Sequence, residues 1–279
     1  MNIIQLFSLL DLKSDHILKF GTEDYIRIEK KINFEKKISS GIHANAGEDL
    51  IAALKEYKEE LLFIISNRVL FNFFTHNNFS KDFFLNYNLT VSDEKIKHFI
   101  ALFLVEDLIS FFTLKLSKST YENLEELDFL LDLKRYFSEE IIYKMSLLAF
   151  SKLDFAVSKL SVMKKGSEVS AISYIKYRTF YDLLSHFTSV ELDKRISELL
   201  SLVIKFYKKN INIQFFTSVI RSMAFYKAFN ESINDTLVKN RDGVSVFRED
   251  VDNVEASPIM KIILAVICVL IPFLVTKCS

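Results

Sequence analysis

Proline is almost missing from this chain of 279 residues: Pro258 and Pro272 are the two present, both in the final segment. From residue 1 to 257 no side chain therefore removes an amide donor and forces the preceding turn apart, so helices of any length are allowed. Glycine is nearly as scarce, at five, which leaves few positions for left-handed turns and favours long helices joined by short polar connections. The two cysteines, Cys268 and Cys278, fall in that same final segment, so a disulfide framework is excluded from the rest. Tryptophan does not occur. Neither sign of charge is in excess, with 36 acidic and 36 basic residues, and no basic cluster exceeds a Lys-Lys pair. A nucleic-acid surface is not expected from such a balance.

Catalytic and cofactor motifs are missing as well. His16, His43, His76, His98 and His186 never stand four residues apart and none opens a His-Glu-x-x-His pattern, so no zinc site is expected. The chain has no Gly-x-x-x-x-Gly-Lys phosphate loop, no Gly-x-Ser-x-Gly elbow and no dinucleotide fingerprint. Neither a cofactor nor an enzymatic activity is indicated. The first residues lack the cationic region of a secretory signal, and the four Asn-x-Ser/Thr sequons at Asn78, Asn88, Asn230 and Asn234 read as chance in an Asn-, Ser- and Thr-rich chain.

What is present begins with the segment 258–279. Its charge-free run from 262 to 275 is 14 residues long, and 11 of them are Ile262, Ile263, Leu264, Val266, Ile267, Val269, Leu270, Ile271, Phe273, Leu274 and Val275. At about −0.3 to −0.6 kcal/mol each in mid-membrane, insertion gains about 3 to 6 kcal/mol. As helix the run covers about 21 Å, and about 27 Å when Lys261 snorkels, enough to span a thin bilayer. A buried core helix matches the length equally. The terminal position, the acidic approach and the flanking Lys261 and Lys277 favour a single-pass, tail-anchored membrane protein with the bulk of the chain cytoplasmic. Cys278 is a juxtamembrane thiol open to acylation.

The remainder reads as all-α: an irregular multi-helix bundle followed by the C-terminal transmembrane helix. Four stretches are expected. Residues 1–46 form an N-terminal segment, with a small β-hairpin near 17–28 competing with a helix over 23–37. Residues 47–239 form the bundle, 240–257 an acidic flexible linker, and 258–279 the anchor. A single amphipathic face runs from Leu50 through Leu54, Tyr57, Leu61 and Ile64 to Arg68. Ser92 is an N-cap, 99–105 reads as a helix surrounded on all sides, and 119–122 as a capping box. Further helices are expected over 138–164, 167–186, 189–209 and 211–239.

Three groups of side chains qualify as candidate sites. Glu106 and Asp107 interrupt an apolar helix, where a buried carboxylate is either paired or kept protonated. Tyr174, Lys176, Tyr177, Arg178 and Tyr181 alternate rings and cations as a binding surface does. The phenylalanines Phe63, Phe71, Phe73, Phe74, Phe79, Phe83 and Phe84 make a partner or membrane patch if exposed and a core if not. The function expected is a protein-interaction or signal-binding module held at the membrane, with an unidentified protein partner or a second copy of itself. A membrane-perturbing, oligomerising effector is the second expectation. An enzyme using Glu106 or Asp107 on a membrane-proximal substrate is the third.

Overall fold

The computed structural model describes residues 1–38, 44–77 and 91–255, with side chains up to residue 244. The anchor segment 258–279, including Cys268 and Cys278, lies outside the described residues, as do Phe79, Phe83, Phe84 and His43. All regular structure among the described residues is helical, and no helix there is long and apolar enough to cross a membrane. The chain divides into two compact units, 1–154 and 155–279, with the division inside one helix, Glu139–Ser161. The sequence pattern alone places one bundle over 47–239.

Unit 1 opens with α1 (Ile3–Leu9), whose Ile3, Ile4, Leu6 and Phe7 are buried. A short 3-10 turn, Ser14–Lys19, and α2 (Thr22–Ile38) follow. The hairpin near 17–28 is not formed: the helix reading prevails because Glu23 and Asp24 occupy the first turn of α2, and Lys36 and Lys37 its last, as the helix dipole favours. Next come α3 (Ala44–Glu56), α4 (Lys58–Ser66) and α5 (Arg68–His76). The continuous face expected from Leu50 to Arg68 is broken twice, at Tyr57 and Asn67. Asn67 ends one helix and caps the next, its side chain accepting from the Leu70 amide at 3.2 Å.

After residue 90 come α6 (Asp93–Phe103), α7 (Val105–Lys118), α8 (Tyr121–Asp132) and α9 (Glu139–Ser161). Ser92 caps α6 as expected. The surrounded helix over 99–105 is corrected: the backbone bends at Leu104 (φ −132°), which buries Phe99, Ile100 and Leu104 but turns Leu102 outward, 50% exposed. The capping residue of α8 is Thr120, which accepts from the Asn123 amide, while Ser119 takes a left-handed conformation that ends α7. The core is heavily aromatic. Phe73 meets Phe74 and Phe111 edge-on with centroids 4.9 Å apart in each pair, a geometry that adds about 0.5 to 1.5 kcal/mol per pair to plain burial.

Unit 2 contains the 3-10 turn Ser170–Lys176, then α10 (Arg178–Leu184), α11 (Val190–Lys208), α12 (Ile213–Met223) and α13 (Glu231–Glu255). α12 packs against α11, α13 and the 170–176 turn, and the Phe206 and Phe216 rings stack at 5.3 Å. The helix expected over 211–239 is interrupted between Met223 and Glu231. The stretch 240–257, read as a flexible linker, continues α13 as helix to Glu255; Asn240 Nδ2 donates to the Thr236 carbonyl one turn back.

Candidate functional site

The interruption before α13 is held by one carboxylate. Asp193, in the first turn of α11, is 3% exposed and lies on the inward stripe made by Leu192, Ile196, Leu199, Leu200 and Val203. Its Oδ1 accepts from the Tyr226 hydroxyl at 2.8 Å and the Phe229 amide at 3.2 Å, and its Oδ2 from the Asn230 amide at 2.8 Å. Ionised acceptors of this kind are well satisfied inside a protein when each lone pair meets an N–H or O–H. Asn230 then passes the order on, its side chain accepting from the Ser232 amide at 3.0 Å in the first turn of α13. The Tyr226 phenol, buried and donating to Asp193, is pushed well above its ordinary pKa, first by burial and then by that hydrogen bond.

Above this floor opens a cleft of about 660 Å³. Its apolar walls are Val190, Phe229 and Ile233, and Lys194 and Glu231 stand at its edges. Phe229 is 66% and Val190 56% exposed, unusual for large apolar groups that a rigid backbone presents side by side. An anchored aromatic next to a slot, rimmed by charges of both signs, can receive an apolar side chain from a partner. Nothing in it resembles a nucleophile paired with a base. Compared with known protein families, curated proteins and solved structures, the chain matches none.

The candidates named from the sequence are placed as follows. Glu106 is exposed and Asp107 half-buried in the first turn of α7. Asp107 Oδ1 accepts from Asn2 Nδ2 at 3.0 Å. The same Nδ2 donates to the Phe74 carbonyl at 2.9 Å, and Asn2 Oδ1 caps α1 by accepting from the Ile4 and Gln5 amides. Asn2 thus ties α1 to α5 and, through Asp107, to α7, and among the described residues the partner of that carboxylate is an amide. Asp49 sits in the same neighbourhood, beside a cleft of about 380 Å³, and burial, with Glu48 second, raises its carboxyl above the ordinary range. Among the described residues no group of three or more His, Cys, Asp or Glu side chains is placed to hold a metal ion.

Tyr174 and Tyr181 are buried, 3% and 0% exposed, with the Tyr181 hydroxyl donating to the Ile175 carbonyl at 2.8 Å. Lys176 and Arg178 of that motif face water and Tyr177 is half-buried; Arg178 reaches Asp182 at 3.0 Å and lies over the Phe225 ring, 4.1 Å from its centroid. Of the phenylalanine group, Phe73 and Phe74 are core, 1% exposed each, while Phe63 and Phe71 are half-buried. The described members of that group offer no open patch.

Asn2 gives a direct check of the unit 1 tie. Asn2→Asp keeps the cap of α1 but removes both donors and sets a second carboxylate against Asp107. At neutral pH the variant is expected to lose about 2 to 3 kcal/mol of unit 1 stability in urea unfolding. Asn2→Ser, which keeps the cap without a second charge, is expected to cost less. An equal cost would show that the charge pair is not responsible.

Proposed function

We propose that the chain is a membrane-tethered binding module, whose unit 2 cleft takes an apolar side chain of a protein partner. The observation that carries this is the exposed pair Phe229 and Val190 at the mouth of a cleft whose floor is fixed by Asp193. A preorganised slot loses little conformational entropy on binding, so a small contact can be specific. The charge-free run 262–275 supplies the tether, which raises the concentration of the module near membrane-bound targets.

Two experiments test the halves separately. With a photo-cross-linking amino acid in place of Phe229 in the full chain, irradiation in cells is expected to give a discrete adduct that Val190→Glu abolishes. A smear insensitive to that substitution would remove the cleft from consideration. The full chain is expected to pellet with membranes and a chain ending at Ser257 to remain soluble. If both stay soluble the tether is absent. If the full chain harms cells and the shorter one does not, a membrane-perturbing effector replaces the passive module.

A further inference from the structure

Among the described residues the outer face of α2 has no partner, and its composition is particular. α2 packs on α3 through one side only, burying Ile28 and Ile32. Gly47 of α3 marks how close the two helices come: a Cβ there would lie 2.7 Å from the Ile32 Cγ2. Helical spacing of 100° per residue puts Phe34 opposite that buried side, with Arg27, Lys30, Lys31, Lys37 and Ile38 within about 60° of it. All six are exposed, Phe34 by 60% and Ile38 by 67%. One acid, Glu23, shares the arc and pairs loosely with Arg27 at 3.8 Å. Lys31 donates to the Leu10 carbonyl, while Lys30 and Lys37 have no hydrogen-bond or carboxylate partner among the described residues.

We infer that this face of α2 lies on an anionic lipid surface, with Phe34 and Ile38 entering the headgroup boundary and Arg27, Lys30 and Lys37 meeting lipid phosphates and carboxylates. Large apolar side chains flanked by cations on an outward arc are the pattern of a helix lying in a membrane interface. Neither Phe34 nor Ile38 lines the clefts beside α2, although Arg27 and Lys31 stand at the wall of one of them. Two apolar side chains bind weakly alone, so the contact depends on anionic lipid and on a second attachment. It rests on the tethered reading for that second attachment only. Each cation near such a surface is worth about fivefold in partition, so the unpaired Lys30 and Lys37 together give about 25-fold.

The chain contains no tryptophan, so Phe34→Trp introduces a single fluorescent reporter at the centre of the face. The full-length variant is placed in lipid nanodiscs of phosphatidylcholine alone and of phosphatidylcholine with phosphatidylserine. Emission is expected to move to shorter wavelength in the anionic discs only, to revert in high salt, and to lose the shift in a Lys30→Gln, Lys37→Gln background. Equal, water-like emission in both lipids overturns the inference and leaves the face to an acidic protein. The tether is read separately, from co-elution with neutral discs. Should co-elution fail, the same chain is sedimented with anionic vesicles, where recovery that salt and the double substitution abolish upholds the α2 contact and its absence refutes it.

Discussion

Taken from neutral pH to about pH 12, the protein is expected to lose unit 2 in one steep transition that begins near pH 10. Three phenols there are buried: Tyr174, Tyr181 and Tyr226, at 3%, 0% and 2% exposure. Burial raises all three above the ordinary value of 10.0, with the neighbouring Tyr174 adding to the effect on Tyr181 and Asp193 adding to that on Tyr226. A phenol raised by folding contributes its full stabilisation below the unfolded pKa. Above it the unfolded chain releases a proton that the folded chain keeps, so stability falls as pH rises. Each group contributes a slope of about −1.4 kcal/mol per pH unit, and three together about −4. Against a domain stability of about 5 to 15 kcal/mol, one to two pH units above the onset are enough to unfold many such units. The measurement is near-ultraviolet phenolate absorbance followed beside helical circular dichroism. Phenolate from the buried tyrosines should appear together with loss of helix. Full titration near pH 10 with unchanged helix content would contradict the burial.

Signals that act within one turn were legible in the sequence. Ser92 caps α6 and Ser189 caps α11, each by accepting from the amide three residues on, and neither depends on distant neighbours. The helix breaks were not legible, because tertiary packing makes them. Tyr57, in a charged stretch, and Leu104, in an apolar run, interrupt the helices without glycine or proline, and their backbone amides still reach Ala53 and Ile100 at 2.9 Å, so each is a bend rather than a loop. Gly47 misleads in the opposite sense. It reads as a turn residue but lies inside α3, where its missing Cβ admits Ile32 of α2. The segment 240–255 looked like coil because it carries many acids, yet its backbone is helical.

The candidate site shows the same division. Asp107 drew notice as an acid on an apolar face, and Asp193 carries the same signal on the stripe of α11. Its meaning depends on Tyr226, Phe229 and Asn230, which are 33 to 37 residues away. No local pattern announces a contact of that span. The exposed face of α2 was open to sequence reasoning in principle, since the arc of Arg27, Lys30, Phe34, Lys37 and Ile38 follows from helical spacing. It was hidden because the helix assignment itself competed with a hairpin.

Replacing Asp193 should destabilise unit 2 strongly. Asp193→Ala removes the acceptor from one hydroxyl and two amides at once, two of the three donors belonging to backbone that has no other acceptor among the described residues. A buried donor left without a partner costs about 1 to 3 kcal/mol, so a loss of about 3 to 5 kcal/mol is expected in urea unfolding of unit 2, allowing for water reaching the exposed Phe229 and Asn230. Tyr226→Phe, which removes one donor and leaves the carboxylate bonded to both amides, should cost only about 1 to 2 kcal/mol. The contrast matters for function. Tyr226→Phe keeps the backbone of 229–230 in place, and cross-linking from position 229 should persist. Asp193→Ala releases that backbone, and the adduct should be lost even at temperatures where circular dichroism shows the helix content unchanged. If both variants lose it equally, the tyrosine and not the carboxylate fixes the floor. If neither does, the cleft does not depend on this lock.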